Sequence, residues 1–237
     1  MLKTCYSEEH RYEIGVDEAG RGPLFGRLYV ASVVLPKGSE FRHMDMKDSK
    51  KFHSKQKIKV VSDYIKDNAV SWSIQYIEAD VIDAINIRQA VFRGMHNGIR
   101  DVILKMRSTL DIQTSSENIT PSDVEGVFLM IDGNDFRPYS FYQEDTEEIH
   151  VIPHQTIEGG DNKYTAIAAA SILAKVAHDE YIQDMCSTYP ELIYRYGLDK
   201  NVGYGTKQHL EGILEHGITQ WHRKTYGRCK DATYSPI

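Results

Sequence analysis

Four acidic residues stand where the chain can turn sharply, and together they could hold hard metal ions. Asp17 and Glu18 close a short β-type run and lead directly into Gly20-Arg21-Gly22-Pro23. Asp132 follows the apolar run 127–131 and precedes Gly133-Asn134, while Asp161 follows Gly159-Gly160 and precedes an alanine-rich stretch. Taken singly each reads as local structure, because Asp before Gly is a common turn residue and Asp before a helix a common cap. Side chains alternate across a strand, so Asp17 and Glu18 approach one point only if the chain bends there, which the glycines allow. Carboxylates gathered together repel one another, and oxygen-preferring cations such as magnesium relieve that repulsion. Two such ions about 4 Å apart can activate a water and stabilise the leaving oxygen of a phosphodiester. No His or Cys is required.

Acids at strand ends need a rigid sheet beneath them. Residues 12–17 and 26–35 read as strands, the second stopped by Pro36-Lys37-Gly38. In Ser71–Ile77, Trp72, Ile74 and Tyr76 alternate with polar residues, the period of a half-buried strand. The apolar run 127–131 predicts a strand buried on both faces, and 148–152 a weaker one. Ser54 is placed to cap a helix through about Asn68, and Val81, Ile85, Phe92, Met95, Ile99, Val102 and Met106 have the spacing of one long amphipathic helix. Further helices are expected over 164–185 and 206–216, with 108–122 as a surface loop. The pattern predicts an α/β protein, a mixed sheet flanked by helices, with a helical C-terminal appendage.

Composition narrows the chemistry. The 237 residues carry 28 Lys and Arg against 34 Asp and Glu, a net charge of −6, and are 41% hydrophobic, enough for a packed core. No apolar run approaches the roughly 20 residues that span a bilayer, and the first residues lack the apolar core of a secretion signal. Cys5, Cys186 and Cys229 stand far apart, as expected of free thiols in a reducing compartment and not of a disulfide framework or a thiolate zinc site. His150 and His154 have helical spacing, but Pro153 between them argues for a loop or an edge strand. Lys47, Lys50, Lys51, Lys55, Lys57 and Lys59, with Arg223, Lys224, Arg228 and Lys230, are candidate phosphate contacts despite the acidic total.

Five segments in order carry a resemblance: GVDEAGRGPLFGRLYVASVVLP at 15–36, DSKK at 48–51, LMIDGN at 129–134, GGD with IAAASILAKVAHD at 159–179, and GYGT at 203–206 followed by HRKTYG at 222–227. The chain resembles ribonuclease HII over nearly its whole length. That resemblance implies an RNase H-like core over residues 1–189, with a C-terminal helical substrate-binding segment over 190–237 packed on it. It implies magnesium- or manganese-dependent hydrolysis of RNA in RNA–DNA hybrids, and incision 5′ of single ribonucleotides in duplex DNA, leaving 3′-hydroxyl and 5′-phosphate ends. Carried over by position, the catalytic and metal-binding carboxylates are Asp17, Glu18, Asp132 and Asp161, with Asp17 expected to bridge two ions. The backbone of Gly20, Arg21 and Gly22, together with Tyr204, is assigned to the ribose. Ser49, Lys50 and Lys51 are assigned to substrate contact.

Asp179 also fits the family pattern, but it lies about five helical turns beyond Asp161 and is expected to be structural. The chain departs from the family at Asn201-Val202, where His-Lys is common, and at Lys224-Thr225-Tyr226, where Arg-Ser-Phe is common. The expected partners are RNA–DNA hybrid and ribonucleotide-containing duplex DNA, with neither membrane nor protein partner. Residues 231–237 carry no convincing sliding-clamp motif. A cytoplasmic monomer is the expectation. The rival readings are another nuclease of the same fold acting on DNA, and a non-catalytic nucleic-acid-binding module.

Overall fold

Alternation and apolar runs set the strands, and their pairing sets the rim on which the acids stand. The computed structural model describes residues 1–109 and 118–237. Its main sheet is built from β1 (Tyr12–Ala19), β2 (Leu28–Val34), β3 (Ser71–Ile77), β4 (Val127–Asp132) and β7 (His154–Ile157), in the order β3-β2-β1-β4-β7. The first three strands pair antiparallel, whereas β4 runs parallel to β1, and β7 parallel to β4. A separate hairpin consists of β5 (Ser140–Gln143) and β6 (Glu148–Val151). His150 thus falls in β6, and His154 in an edge strand of the main sheet.

Two helical layers cover the sheet. On one face α3 (Ile87–Thr109) packs Met95 and Ile99 against Ile14, Val16, Val30 and Leu129. On the other, α1 (Lys55–Asn68) and α4 (Thr165–Thr188) pack Ile65, Ala169 and Ile172 against Ala31 and Val33. Ser54 caps α1 as its sequence predicts, accepting from the Lys57 amide at 3.4 Å. Gly15 lets α4 lie unusually close to β1. A Cβ there would stand 2.6 Å from the Ile167 amide nitrogen, inside van der Waals contact.

The single helix expected from Val81 to Met106 is two, α2 (Ala79–Ile85) and α3, broken at Asn86 with φ of 65°. A left-handed residue interrupts the hydrogen-bond ladder, but apolar positions on both sides still face the core, so periodicity does not reveal the break. The appendage holds α5 (Glu191–Tyr196), α6 (Leu198–Asn201) and α7 (Lys207–His216), where one helical piece was expected. Their Leu192, Tyr196, Leu198 and Ile213 cluster with Leu24, Phe25 and Ile182.

The loop expected over 108–122 lies largely outside the described residues. At its described end Ile119 is buried, and Pro121–Val124 forms a 3₁₀ turn, so this end is packed and not a free surface loop. Among the described residues no helix is long and apolar enough to cross a membrane.

Candidate active site

Parallel pairing brings the acids to one edge. Val16 stands opposite Ile131 in the β1–β4 register, so the next residues, Asp17 and Asp132, lie side by side where the pairing of these two strands ends. Beyond β7 the chain turns through Gly159 into a 3₁₀ turn, Gly160–Asn162, which carries Asp161 to the same rim. The Gly160 amide donates to Asp132 Oδ1 at 2.6 Å, tying this turn to β4. Asp161 sits in this turn just ahead of the alanine-rich helix α4, the order expected from sequence.

Asp17 and Glu18 face opposite sides of the sheet. Asp17, 6% exposed, points toward α4, where it accepts a hydrogen bond from Ser171 and another from the Glu18 amide at 2.7 Å. Glu18 lies with Arg21 (3.4 Å), Arg88, Asp132 and Asp135 around a cavity of about 270 Å³ on the α3 side. Burial, reinforced by Asp132 and Glu18, pushes the Asp17 carboxyl well above the usual carboxylate range. Burial also raises Glu18, opposed by Arg21 and assisted by Asp132. Asp161 is raised by burial and by Asp48 and Asp132. Asp132 therefore acts on all three of the others.

Surplus negative charge on oxygen donors alone is chemistry suited to magnesium or manganese. Among the described residues, however, no three His, Cys, Asp or Glu side chains close on one point. Asp132 directs one oxygen to Gly160, and Asp161 directs Oδ1 to the Asn162 side-chain amide at 3.0 Å. The acids form an open rim, approached in pairs.

The Asp48–Lys51 segment crosses this rim. Asp48 caps a 3₁₀ turn (Ser49–Lys51), accepting from the Lys50 amide at 2.9 Å, and its other oxygen accepts from Asn162 at 3.2 Å. Lys50 and Lys51 are exposed, and the Lys51 ammonium reaches the Asn162 side chain. Ser49 turns inward, its hydroxyl 3.0 Å from that of Ser171. Sequence reasoning missed Asp48, Asn162 and Ser171. The first lies in the quoted DSKK block and the second follows Asp161, but Ser171 is one small residue in a buried helix and gives no signal of its own.

Tyr204 comes to the Gly20–Gly22 turn. A Cβ on Gly22 would stand 3.4 Å from Tyr204 Cε1, and the ring is 47% exposed. A chain of neutral groups holds the Tyr204 loop from beneath. The Thr219 amide donates to His222 Nδ1 (3.0 Å), which puts the His222 proton on Nε2, facing His209 Nε2 at 3.1 Å. His209 Nδ1–H then donates to the Tyr204 carbonyl at 3.0 Å. Asn201, one of the departures from the family pattern, is buried and accepts from the Gly203 amide at 2.9 Å. Its neighbour Val202 has φ of 44°, a strained conformation for a β-branched residue.

Two further residues differ in role from bare charge. Arg223, expected as a phosphate contact, is fully buried and bonds main-chain carbonyls, whereas Lys224, Arg228 and Lys230 are exposed. The reason is its place between the appendage and the first turn, where main-chain carbonyls and the Tyr226 ring surround it. Asp179 pairs with Lys175 and with His178 Nδ1 (3.2 Å) within α4, and not at the far end of the helix.

A five-stranded mixed sheet with acids at the ends of its neighbouring parallel strands defines an RNase H-like protein. The ribonuclease H2 of Pyrococcus horikoshii has this fold, with a TM-score of 0.66 at 19% identity over 93% of this chain and 96% of that one. Bst ribonuclease HIII, solved with Mn²⁺, is more distant, with a TM-score of 0.53 at 15% identity over 85% of this chain and 69% of that one. The family model for ribonuclease HII matches residues 14–229. A ribonuclease HII of Parabacteroides distasonis is 39% identical over 221 residues, 93% of this chain and 92% of the relative. The chain belongs to the ribonuclease HII family, and is thereby a ribonuclease H.

Proposed function

We propose that this protein hydrolyses the RNA strand of RNA–DNA hybrids and incises duplex DNA 5′ of single ribonucleotides, leaving 3′-hydroxyl and 5′-phosphate ends. What supports this reading is that Asp17, Glu18, Asp132 and Asp161 all lie along one end of the sheet, beside a glycine turn and an exposed tyrosine. These four residues would hold two divalent ions, magnesium or manganese. Bound there, the ions supply Lewis acidity and neutralise charge at the scissile phosphate. Asp132 raises all three other acids, so the four share one field of negative charge that bound divalent ions would relieve.

The chain's own groups supply orientation. Lys50 and Lys51 meet the phosphates next to Asp161, and Arg21 meets them next to Glu18. The Gly20-Arg21-Gly22 backbone and Tyr204 read the ribose, whose 2′-hydroxyl both donates and accepts. Ser49 serves Asp17 through Ser171 and lies beneath the substrate surface. Residues 190–237 act as the substrate-binding segment on a core of residues 1–189. The protein works as a monomer in the cytoplasm without an obligatory protein partner.

A duplex carrying one ribonucleotide tests this, incubated with magnesium and, separately, with chelator. Incision 5′ of the ribonucleotide with magnesium alone is expected. Uncut duplex at enzyme excess contradicts the reading, and equal cutting of an all-DNA duplex favours a DNA nuclease of the same fold.

A further inference from the structure

Arg223 has no exposed surface, yet its guanidinium carries a permanent charge. Burying a cation is costly unless fixed groups answer it. Here the answer is a set of main-chain carbonyls: Gly26 O from Nε at 3.1 Å, Arg21 O from Nη1 at 2.9 Å, and Gly20 O from Nη2 at 2.6 Å. Among the described residues no carboxylate forms an ion pair with it. Tyr226 adds its hydroxyl to the Arg21 carbonyl at 3.2 Å, and its ring centre lies 5.1 Å from the guanidinium.

The strut is fastened at both ends. The Arg223 amide donates to Leu24 O at 2.8 Å. Asp83 on α2 accepts from the Lys224 amide (2.7 Å), the Thr225 amide (2.9 Å) and the Thr225 hydroxyl (2.5 Å). The core thus grips the segment that in turn grips the first turn.

Peptide planarity gives this arrangement a consequence. In a trans peptide the N–H of one residue points opposite to the C=O of the residue before it, and every peptide described here is trans. With the Gly20 and Arg21 carbonyls drawn inward to Arg223, the Arg21 and Gly22 amides face outward. Neither donates to another group among the described residues. Gly20, with φ of 81°, has the freedom to rotate its peptide the other way if nothing holds it.

We propose that Arg223 is a positioning residue for ribose selection: by holding two carbonyls inward, it keeps the Arg21 and Gly22 N–H groups presented to the substrate. This rests on the reading of the turn as the ribose-contacting element. Arg223 itself touches no substrate. A lysine cannot replace it, since one ammonium lacks the planar fork that spans three carbonyls. Tyr226 strengthens the same hold by donating its hydroxyl to the Arg21 carbonyl.

The test measures dissociation constants, in chelator, for a duplex with one ribonucleotide and for the matching all-DNA duplex. Wild-type protein is expected to prefer the ribonucleotide. Arg223→Lys should reduce that preference about tenfold or more, by weakening the ribonucleotide duplex alone. Tyr226→Phe should reduce it in the same direction by a smaller factor. An undiminished preference in folded Arg223→Lys, or equal weakening on both duplexes, overturns the proposal. Should Arg223→Lys not fold, a wild-type preference in Tyr226→Phe overturns it. Wild-type protein with no preference sinks the ribose reading itself, a result distinct from either variant's failure.

Discussion

Ser49 and Ser171, on a loop and on α4, share a hydrogen bond of 3.0 Å inside the protein, and Ser171 passes it on to Asp17. The segment bearing Lys50 and Lys51 is therefore connected to the first carboxylate through a single side chain. Ser171→Ala should lower kcat by about tenfold while leaving KM nearly unchanged, because it removes a hydrogen bond to a charged group and no substrate contact. Ser49→Ala should act in the same sense, more weakly. Steady-state kinetics decide: a raised KM with kcat unchanged in Ser49→Ala would mean that Ser49 meets substrate directly.

Gly15→Ala should destabilise the fold by about 3 kcal/mol or more, since the new methyl overlaps the α4 backbone and neither element can give way cheaply. Urea denaturation measures the loss. Activity should fall with it, because α4 would withdraw Ser171 from Asp17. A variant as stable as wild type would mean that α4 does not sit so close to β1.

How much of this was legible in the sequence depends on the range of the interaction. The Ser54 cap and the strand over Ser71–Ile77 are local, and each element formed where its residues predicted, although the serines of that strand face inward and Tyr76 is exposed. Motif residues were legible too, since the acids and Tyr204 lie in recognisable blocks. What stayed hidden is long-range. Arg223 meets Gly20 across most of the chain, so a basic residue in a basic segment reads as a surface charge until the fold buries it. Asn86 breaks a helix without disturbing its apolar period, and the Ser49–Ser171 contact joins two residues with no pattern in common.

The His209–His222 pair should make the protein acid-labile. Burial, together with His209, pushes His222 down to about 3 from 6.5, and burial lowers His209 as well. Below pH 6.5 the unfolded chain takes up protons that the folded one refuses, so this part of the stability is lost as pH falls from 6.5 toward 3. The total loss at the acid end is on the order of a few kcal/mol. Melting temperatures at pH 7, 5 and 4 should fall less steeply for His222→Gln than for wild type. Parallel curves would contradict a neutral buried pair.

Lys50→Ala and Lys51→Ala should each weaken hybrid binding and make it less sensitive to salt, each lowering the slope of log affinity on log salt by about 0.7–0.9 if it meets one phosphate. Titrations at several salt concentrations read this directly. An unchanged slope would return these lysines to the solvent.

The most direct test of the central claim is Asp132→Asn, examined for binding and for single-turnover cleavage on the same ribonucleotide-containing duplex. Asp132 acts on every other acid of the rim. Its neutralisation should reduce cleavage by about a thousandfold or more while leaving the dissociation constant in chelator within about threefold. Cleavage retained within tenfold of wild type would contradict the assignment of these carboxylates to catalysis.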